Sequence, residues 1–312
     1  MSRVKAVHPQ LVDPTGVNCS NQPRPMGITT DASRVAAAHS NAGLPQIEFA
    51  GSSNHYVDYQ YIDLLHTLQV PRSEGYDENC FIVMGQVKEL LFQSLHFELF
   101  NARHQLDQDQ LTEAMRMLMR AHKVATYITQ SWDVLSTITV DGFNEFRNHL
   151  GQASGQLSFM YRHVEFILGN KSERLARAHA NMPHVWPKMR ESLEAPSLYD
   201  RAIALLARRG HAISAAALER DWSLPYVAEA SVEAAWVAIY REAHTDNPLY
   251  ALGEALTGLD DQISQYRWRH FTSVSRIIGN KPGTGGSAGV GWLRQVTEHR
   301  FFPELWTARS LM

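Results

Sequence analysis

Cysteine is scarce in this sequence: Cys19 and Cys80 are the two cysteines among 312 residues. Two thiols cannot form a disulfide framework or a four-thiolate zinc or iron–sulfur site. Such scarcity is typical of proteins from a reducing compartment, so we expect a cytoplasmic location. The sequence also lacks an apolar run approaching the ~20 residues of a membrane helix, and its first residues do not form the apolar segment of a signal peptide.

An excess of charge of either sign is also missing. The chain has 29 basic and 32 acidic residues, a net charge of −3, so nothing favours nucleic acid or an anionic membrane as a partner. With 44% hydrophobic and 20% charged residues, the composition is that of a globular protein. What the sequence does have in quantity is histidine (15), phenylalanine (12), tyrosine (11) and tryptophan (7).

Strand patterns are nearly absent, and from Tyr56 onward the apolar residues follow a helical period. The long helical segments are predicted at about 78–106, 108–138, 155–168, 196–209, 227–243 and 247–278. Prolines fall between these segments, as expected for short connections in a helical bundle. We therefore predict an all-α fold, a bundle of long helices forming a single domain over 51–312. Residues 1–50 show no apolar period and are predicted to be an arm that is flexible or draped over a partner.

One apolar stripe contains a histidine. Its members step by three or four residues and are Leu252, Leu256, Leu259, Ile263, Tyr266, His270, Val274 and Ile277. A histidine facing an apolar interior needs a partner. That partner is either a backbone carbonyl in the core or a haem iron, which takes one neutral imidazole on an apolar wall. Zinc is disfavoured, because no HExxH or paired CxxC motif is present.

A glycine-rich segment, GNKPGTGGSAGVGW at 279–292, follows that helix. It follows a helix rather than a strand and has no Walker lysine, which argues against a nucleotide site. Its glycines would let backbone approach a flat ligand closely, and Thr284 would offer a hydroxyl. The alternative is a solvent-exposed connection between two helices.

Two further segments carry candidate binding residues. Phe143, Arg147 and Leu150 are spaced for one helical face, and a guanidinium beside apolar groups suits a substrate carboxylate, although a surface ion pair is the commoner role of a single arginine. Another helix begins near Asp77 and carries Phe81 and Gly85. A glycine inside a helix costs about 1 kcal/mol relative to alanine, so space is one reason to keep it.

Taken together, these segments resemble the tryptophan 2,3-dioxygenase superfamily of helical, histidine-ligated haem oxygenases. The resemblance runs in order from Tyr56 to about Arg309. Its motifs are YxxY at 56–59, DExxFI at 77–82, FRxxLGxxSG at 146–155, YRxxEFxLGNK at 161–171, EAPSLYD at 194–200, WRH at 268–270, RxIGxKxGTGGSxGVGxL at 276–293 and FFPEL at 301–305.

The resemblance implies a role for individual residues. His270 would be the axial ligand of a haem b iron, ferrous in the active form, and Trp132, Ser154, Gly155 and Val274 would line the haem. Arg147 and Thr284 would hold the amino-acid group of a tryptophan-type substrate, and Phe81, Phe143 and Leu150 would surround the indole. Tyr56 and Tyr59 would reach into the site of a neighbouring subunit, which implies a homotetramer built as a dimer of dimers.

The chain departs from the family pattern on the distal side of the haem. Most members have a histidine where this chain has Gly85, which has no side chain to bond the indole nitrogen or accept its proton. HDE has become Tyr76-Asp77-Glu78, and a wall tyrosine has become Phe143. The freed volume would admit a methyl group on the substrate or a water molecule.

Three functions are compatible with these residues. Monooxygenation at indole C2 would give a 2-oxindole and would need two electrons from an external reductant. Dioxygenation would open the ring to N-formylkynurenine with O2 as the co-substrate and no outside electrons. We favour monooxygenation of tryptophan or a methylated tryptophan, because a plain dioxygenase has less reason to lose the distal residue. A non-catalytic haem- or indole-binding protein is the third possibility, disfavoured because Arg147, Thr284 and His270 together position a substrate.

Overall fold

The computed structural model describes residues 5–13, 23–45, 47, 54–242 and 246–312. Its α-helices are α1 (Asp31–Ser40), α2 (His55–Gln60), α3 (Ile62–Leu65), α4 (Tyr76–Asp107), α5 (Leu111–Leu135), α6 (Val140–Arg147), α7 (Phe159–Leu168), α8 (Glu173–Ala176), α9 (Trp186–Glu194), α10 (Leu198–Arg208), α11 (Ala215–Leu218), α12 (Ala230–Arg241), α13 (Pro248–Ile278), α14 (Val290–Thr297) and α15 (Pro303–Thr307). Short 3-10 helices cover Asn148–Leu150, Gly155–Leu157, Arg177–His179 and Ala308–Leu311. No strand occurs in these residues, so the all-α prediction is confirmed.

Three long helices form the centre of the bundle. α4 and α5 are joined by three residues and pack against each other, and α13 packs on the other side of α5. Their contact is made by a stripe on each helix that includes Leu95 and Leu99 of α4, Leu118 and Ile128 of α5, and Leu256 of α13, all essentially inaccessible to solvent. No helix in the described part of the chain is long and apolar enough to cross a membrane.

The predicted helices are found with small shifts at their ends. The predicted segment 155–168 begins as a 3-10 turn, and α7 starts only at Phe159, where the Ser158 hydroxyl accepts a hydrogen bond from the Tyr161 amide. In the predicted arm, α1 has no buried residue, so it leaves no apolar period in the sequence. The sequence feature that marks the start of α1 is instead a local one, the capping box formed by Thr30 and Ser33.

Much of the predicted arm, 1–4, 14–22, 46 and 48–50, lies outside the described residues, and Cys19 with it. The described part contacts the helices at several points, two of them through backbone hydrogen bonds. The Val7 amide and carbonyl bond the side chain of Asn101 on α4, and the Asp13 amide donates to the His184 carbonyl. The division into a 1–50 arm and a 51–312 domain stays a prediction.

The helix α7 buries polar groups as well as apolar ones. His163 is completely buried, and its Nδ1 lies 2.7 Å from the Ser192 hydroxyl oxygen. Its Nε2 has no hydrogen-bond partner among the described residues. Burial, with a smaller effect of His179, lowers the pKa of His163 to about 3, so the ring is neutral at physiological pH.

This histidine makes stability depend on pH. In the unfolded chain its pKa returns to about 6.5, so the unfolded state binds the proton first as pH falls. The free energy of unfolding is therefore unaffected by this group above pH 6.5 and decreases as pH falls from 6.5 toward 3. At pH 5 the expected loss from His163 alone is roughly 2 kcal/mol, at 1.4 kcal/mol per pH unit. Urea unfolding at pH 7 and pH 5 measures it.

The matched comparison is His163→Gln against His66→Gln, in an exposed turn. His163→Gln should make the loss of stability between pH 7 and pH 5 smaller by that amount, even if the variant is less stable at both pH values. His66→Gln should leave the difference unchanged. An equal pH dependence in wild type and His163→Gln would contradict the assignment.

Candidate active site

A cavity of about 580 Å³ opens among α5, α6, α7, α13 and α14. Its volume lies within the range of roughly 300–1,000 Å³ usual for ligand and cofactor sites. The sequence-predicted site residues that line it are Phe81, Trp132, Phe143, Arg147, Leu150, Ser154, Gly155, His270, Val274 and Thr284. The structure thus brings together residues that are up to 203 positions apart in the chain.

His270 stands in the wall of this cavity on α13. Its ring stacks on the Trp132 indole, with the centroids 4.5 Å apart and the planes 14° from parallel. Within the described chain, neither ring nitrogen of His270 makes a hydrogen bond, so the core-histidine alternative with a carbonyl partner is not what the structure shows. Burial, with a smaller effect of Lys88, lowers the pKa of His270 to about 3. The ring is a neutral imidazole with a free lone pair, the form that ligates iron.

Arg147 and Thr284 both line the cavity, and hydrogen bonds hold each of them in place. The Arg147 Nη2 donates to the Pro282 carbonyl oxygen at 2.8 Å, two residues before Thr284 in the glycine-rich loop. The Thr284 hydroxyl donates to the Ala153 carbonyl oxygen at 2.6 Å. The first contact joins the loop to the last residue of α6, and the second joins it to the segment after α6. The remaining N–H groups of Arg147 and the lone pairs of the Thr284 hydroxyl are available to a carboxylate and an ammonium group.

An aromatic cluster forms the apolar wall next to Arg147. Phe146 is fully buried, and its ring centroid lies 5.2 Å from that of Phe81 and 5.1 Å from that of Phe143. Phe81 and Phe143 face the cavity in front of it. A flat aromatic ligand would find edge and face contacts here, with a cation beside them.

Glycines of the glycine-rich loop allow close packing against the rest of the protein, and some of them also line the cavity. A Cβ at Gly285 would lie 2.7 Å from the Ser154 Cβ, and one at Gly289 would lie 2.5 Å from the Lys281 carbonyl oxygen. Gly289 also has φ +61°, which only glycine adopts without strain. The loop is therefore more than a solvent-exposed connection: Gly285 and Gly286 are exposed, but the segment closes against Ser154, and Gly283 and Gly289 line the cavity.

Gly85 is placed differently from the rest of the predicted site. It lines a second cavity of about 650 Å³ beside the first, in front of α4 and α3. Phe81, Leu150 and Ala153 line both cavities and form the wall between them. A Cβ built on Gly85 would meet nothing within 4 Å. The space expected from this glycine is therefore present.

This open space predicts a gain in stability from Gly85→Ala. The residue is in the interior of α4, where alanine is favoured over glycine by about 1 kcal/mol, and no neighbour has to move. We expect the free energy of unfolding to rise by about 1 kcal/mol, measured by urea unfolding.

Gly253 on α13 supplies the matched control. A Cβ there would lie 2.9 Å from the Tyr240 hydroxyl oxygen and 3.2 Å from the Trp236 ring. Gly253→Ala should therefore lower stability, since crowding of a packed core costs roughly 1–3 kcal/mol and exceeds the helix-propensity gain. If Gly85→Ala destabilised as much as Gly253→Ala, the space beside Gly85 would not be open.

Tyr56 and Tyr59 lie on α2, outside the linings of both cavities, with 65% and 74% of their surface exposed. Between them, Asp58 is buried and paired with Arg24, at 3.1 Å between Oδ1 and Nη1. This pair fixes the helix so that both tyrosines face outward. Their role in a neighbouring subunit's site stays a prediction.

Sequence reasoning gave no role to several residues that shape the cavity. Glu165 of α7 forms buried ion pairs with Arg162 and, at 2.8 Å, with Arg267, whose Nε also donates to the Tyr161 hydroxyl at 3.2 Å. The YRxxEF motif contains Tyr161, Arg162 and Glu165. The spacing of this motif is therefore the sequence feature that could have identified them. Lys88 also lines the cavity, and nothing in its local sequence marks it.

The residues present fit a haem. A neutral, unpartnered imidazole faces a cavity of cofactor size, and the aromatic face of Trp132 and the apolar side chains of Val274 and Leu135 flank it. Among the described residues there is no group of three or more His, Cys, Asp or Glu that could hold a metal ion. The fold and the cavity together define a helical protein with a deep aromatic-walled cavity that a histidine, an arginine and a threonine line.

Comparison with known proteins assigns the family. A family profile described as tryptophan 2,3-dioxygenase matches residues 40–186 and 234–312. A tryptophan 2,3-dioxygenase of Paraburkholderia phytofirmans is 42% identical over 292 residues, covering 92% of this chain and 95% of the relative. Relatives of the same name from Ralstonia nicotianae and a Polaromonas species are 43% and 40% identical and cover 85% and 91% of this chain, and 90% and 95% of their own lengths.

The chain belongs to the tryptophan 2,3-dioxygenase family. The resemblance stated from the motifs is confirmed, and with it the prediction that the protein is an oxygenase. The names of these relatives favour dioxygenation over the monooxygenation that we preferred from Gly85, and they give no support to a 2-oxindole product or to an external reductant.

Proposed function

We propose that this protein is a haem-dependent tryptophan 2,3-dioxygenase that converts L-tryptophan and O2 to N-formylkynurenine. The observation that carries the proposal is the shared cavity: the free imidazole of His270 lines the same cavity as Arg147 and Thr284. Dioxygenation balances with no further reactant, because both atoms of O2 enter the product as the C2–C3 bond of the indole opens.

In this proposal His270 would hold the haem by its iron, and Trp132, Ser154, Gly155 and Val274 would enclose it. The haem, when bound, supplies activation of O2. Arg147 binds the substrate carboxylate and Thr284 accepts a hydrogen bond from its ammonium group. Phe81, Phe143 and Leu150 then hold the indole in one orientation and exclude water from its faces, so the reacting ring is fixed before O2 reacts with it.

The distal position has no base, since Gly85 has no side chain. A dioxygenation does not require one, because the indole N–H can keep its proton while the ring carbons react. The open space at Gly85 belongs to the second cavity, and Phe81 and Leu150 stand between it and the cavity that His270 lines. L-Tryptophan is the proposed substrate, and a methylated tryptophan would use the space at Gly85 only if its substituent passed the side chains of Phe81 and Leu150.

The test is the product formed from L-tryptophan and isotopically labelled O2 by the haem-loaded protein, with and without ascorbate. We expect two labelled atoms in the product without consumption of reductant. A single labelled atom that depends on ascorbate would overturn the proposal in favour of a monooxygenase. No product from tryptophan or a methylated tryptophan, despite tight haem binding, would identify a binding protein. The homotetramer and the cytoplasmic location stay predictions.

A further inference from the structure

Lys88 presents a charge to the cavity on the side of His270. It lies on α4 and lines the cavity, and its Nζ is 4.2 Å from the centroid of the Trp132 ring. The same Trp132 ring stacks on His270. The ammonium is therefore held at an aromatic face beside the proposed iron ligand.

The other lysine and arginine side chains that line the cavity have partners or face solvent. Arg162 and Arg267 pair with Glu165, Lys171 donates to the Ser192 and Ala195 carbonyl oxygens, and Arg147 donates to the Pro282 carbonyl. Arg174 is exposed. Lys88 differs: in the described part of the protein it forms no ion pair and no hydrogen bond, only the contact with Trp132.

At this position the ammonium group of Lys88 lacks most of the hydration that it would have in water. Burial outweighs the attraction of neighbouring Glu89 and lowers the pKa of Lys88 to about 8, which leaves the group mainly charged at neutral pH. A cation–π contact compensates for only part of lost hydration, roughly 0.5–2 kcal/mol. An anion brought in by a ligand would therefore stabilise the charged form of Lys88.

The proposed function places two molecules that carry carboxylates in this cavity, the amino-acid substrate and haem. The substrate carboxylate is bound at Arg147, where Thr284 can take the ammonium group next to it. The carboxylates of haem lie at one edge of an otherwise apolar macrocycle, and the macrocycle must place its iron at His270. Lys88 is linked to His270 through a single ring, that of Trp132.

We propose that Lys88 is the cationic contact for a carboxylate of the haem in this cavity. The inference rests on the proposed function in so far as that function supplies the haem, but it concerns cofactor binding and not the reaction. The ammonium forms a charge-assisted hydrogen bond with the carboxylate, and the Trp132 face holds the methylene chain and ammonium of Lys88 in position for it.

The experiment compares haem with haem dimethyl ester, in which both carboxylates are esterified, as ligands of the haem-free protein. Affinities are measured by absorbance titration for wild type, Lys88→Met and Lys88→Arg. We expect wild type to prefer haem over the diester, and Lys88→Met to reduce that preference about tenfold, the loss of one charge-assisted hydrogen bond. Lys88→Arg should retain most of the preference. Exposed Lys123 on α5 supplies the control Lys123→Met, with the wild-type preference.

The ratio of the two affinities cancels a general loss of stability or of cavity shape, which would weaken both ligands alike. An unchanged ratio in Lys88→Met overturns the proposal. If Lys88→Met kept the ratio and instead weakened tryptophan binding, Lys88 would face the substrate, which also overturns it. Lys88→Gln is the second neutral variant if Lys88→Met does not fold. The proposed function can fail independently of this inference. If the protein bound haem and haem dimethyl ester with the expected ratios but formed no oxygenated product, the proposed function would be wrong and the role of Lys88 would stand.

Discussion

Replacing His270 with alanine is expected to lower haem affinity by on the order of 100-fold or more and to abolish oxygenation of tryptophan. The imidazole is neutral, has no hydrogen-bond partner in the described chain and faces the cavity, so its removal deletes a ligand and not a structural bond. Haem titration by absorbance and product formation from tryptophan measure the two effects. Free imidazole should restore part of the haem binding, since the deleted ring leaves its space behind.

His104→Ala is the control, because His104 lies in the last turn of α4, contacts only Gln108 at 3.0 Å and lines neither cavity. It should bind haem and turn over tryptophan as wild type does. His299 provides the alternative: it also lines the cavity, and burial lowers its pKa to about 4. Wild-type haem affinity in His270→Ala together with a loss in His299→Ala would move the iron ligand to His299 and contradict the assignment.

The apolar period of the sequence predicted the long helices well, because each buries a stripe of side chains at three- and four-residue steps. α13 shows why: Leu252, Leu256, Leu259 and Ile263 are buried at its N-terminal half, and His270 continues the same face into the cavity. The residue types along this stripe do not show where it stops packing against the core and begins to line the cavity. The sequence could therefore place His270 on an apolar face but could not separate a buried histidine from a ligand.

Other parts of the site depend on contacts between distant segments, which a residue pattern does not contain. The hydrogen bond from Thr284 to the Ala153 carbonyl joins residues 131 positions apart, and Gly285 is needed because Ser154 lies against it. Lys88 is the clearest case. On an amphipathic helix a lysine is expected at the surface, and only the packing of Trp132 on α5 turns this one into a cavity residue.

Gly85 led to the one preference that the comparisons do not support. Its lost side chain was interpreted as rebuilding the pocket for monooxygenation, yet relatives that cover most of the chain are named dioxygenases. The structure shows why the inference was weak: the glycine opens toward the neighbouring cavity, while the wall residues Phe81 and Leu150 remain between it and the main one. The space at position 85 therefore does not determine how many oxygen atoms are retained on an indole bound in the main cavity.

The second large effect is expected from Arg147→Ala, which should raise the KM for L-tryptophan about 100-fold while changing kcat much less. A charge-assisted hydrogen bond between a guanidinium and a carboxylate contributes about 1.5–3 kcal/mol to binding. If Arg147 makes two such bonds to the substrate carboxylate, the alanine variant loses both. Steady-state kinetics with L-tryptophan measure the change. Arg147→Lys should fall between wild type and alanine, because an ammonium keeps the charge but not the paired donors.

Arg147 also donates to the Pro282 carbonyl, so a loss in Arg147→Ala could come from loosening of the glycine-rich loop rather than from the missing carboxylate contact. Tryptamine separates the two causes, since it has the indole and the ammonium group but no carboxylate. If Arg147 binds the carboxylate, tryptamine binds wild type and Arg147→Ala about equally, and the preference of wild type for tryptophan over tryptamine disappears in the variant. A loosened loop would instead displace Thr284, which both ligands use, and would weaken both to the same extent; that result would take Arg147 out of the substrate clamp and leave it as a support for the loop.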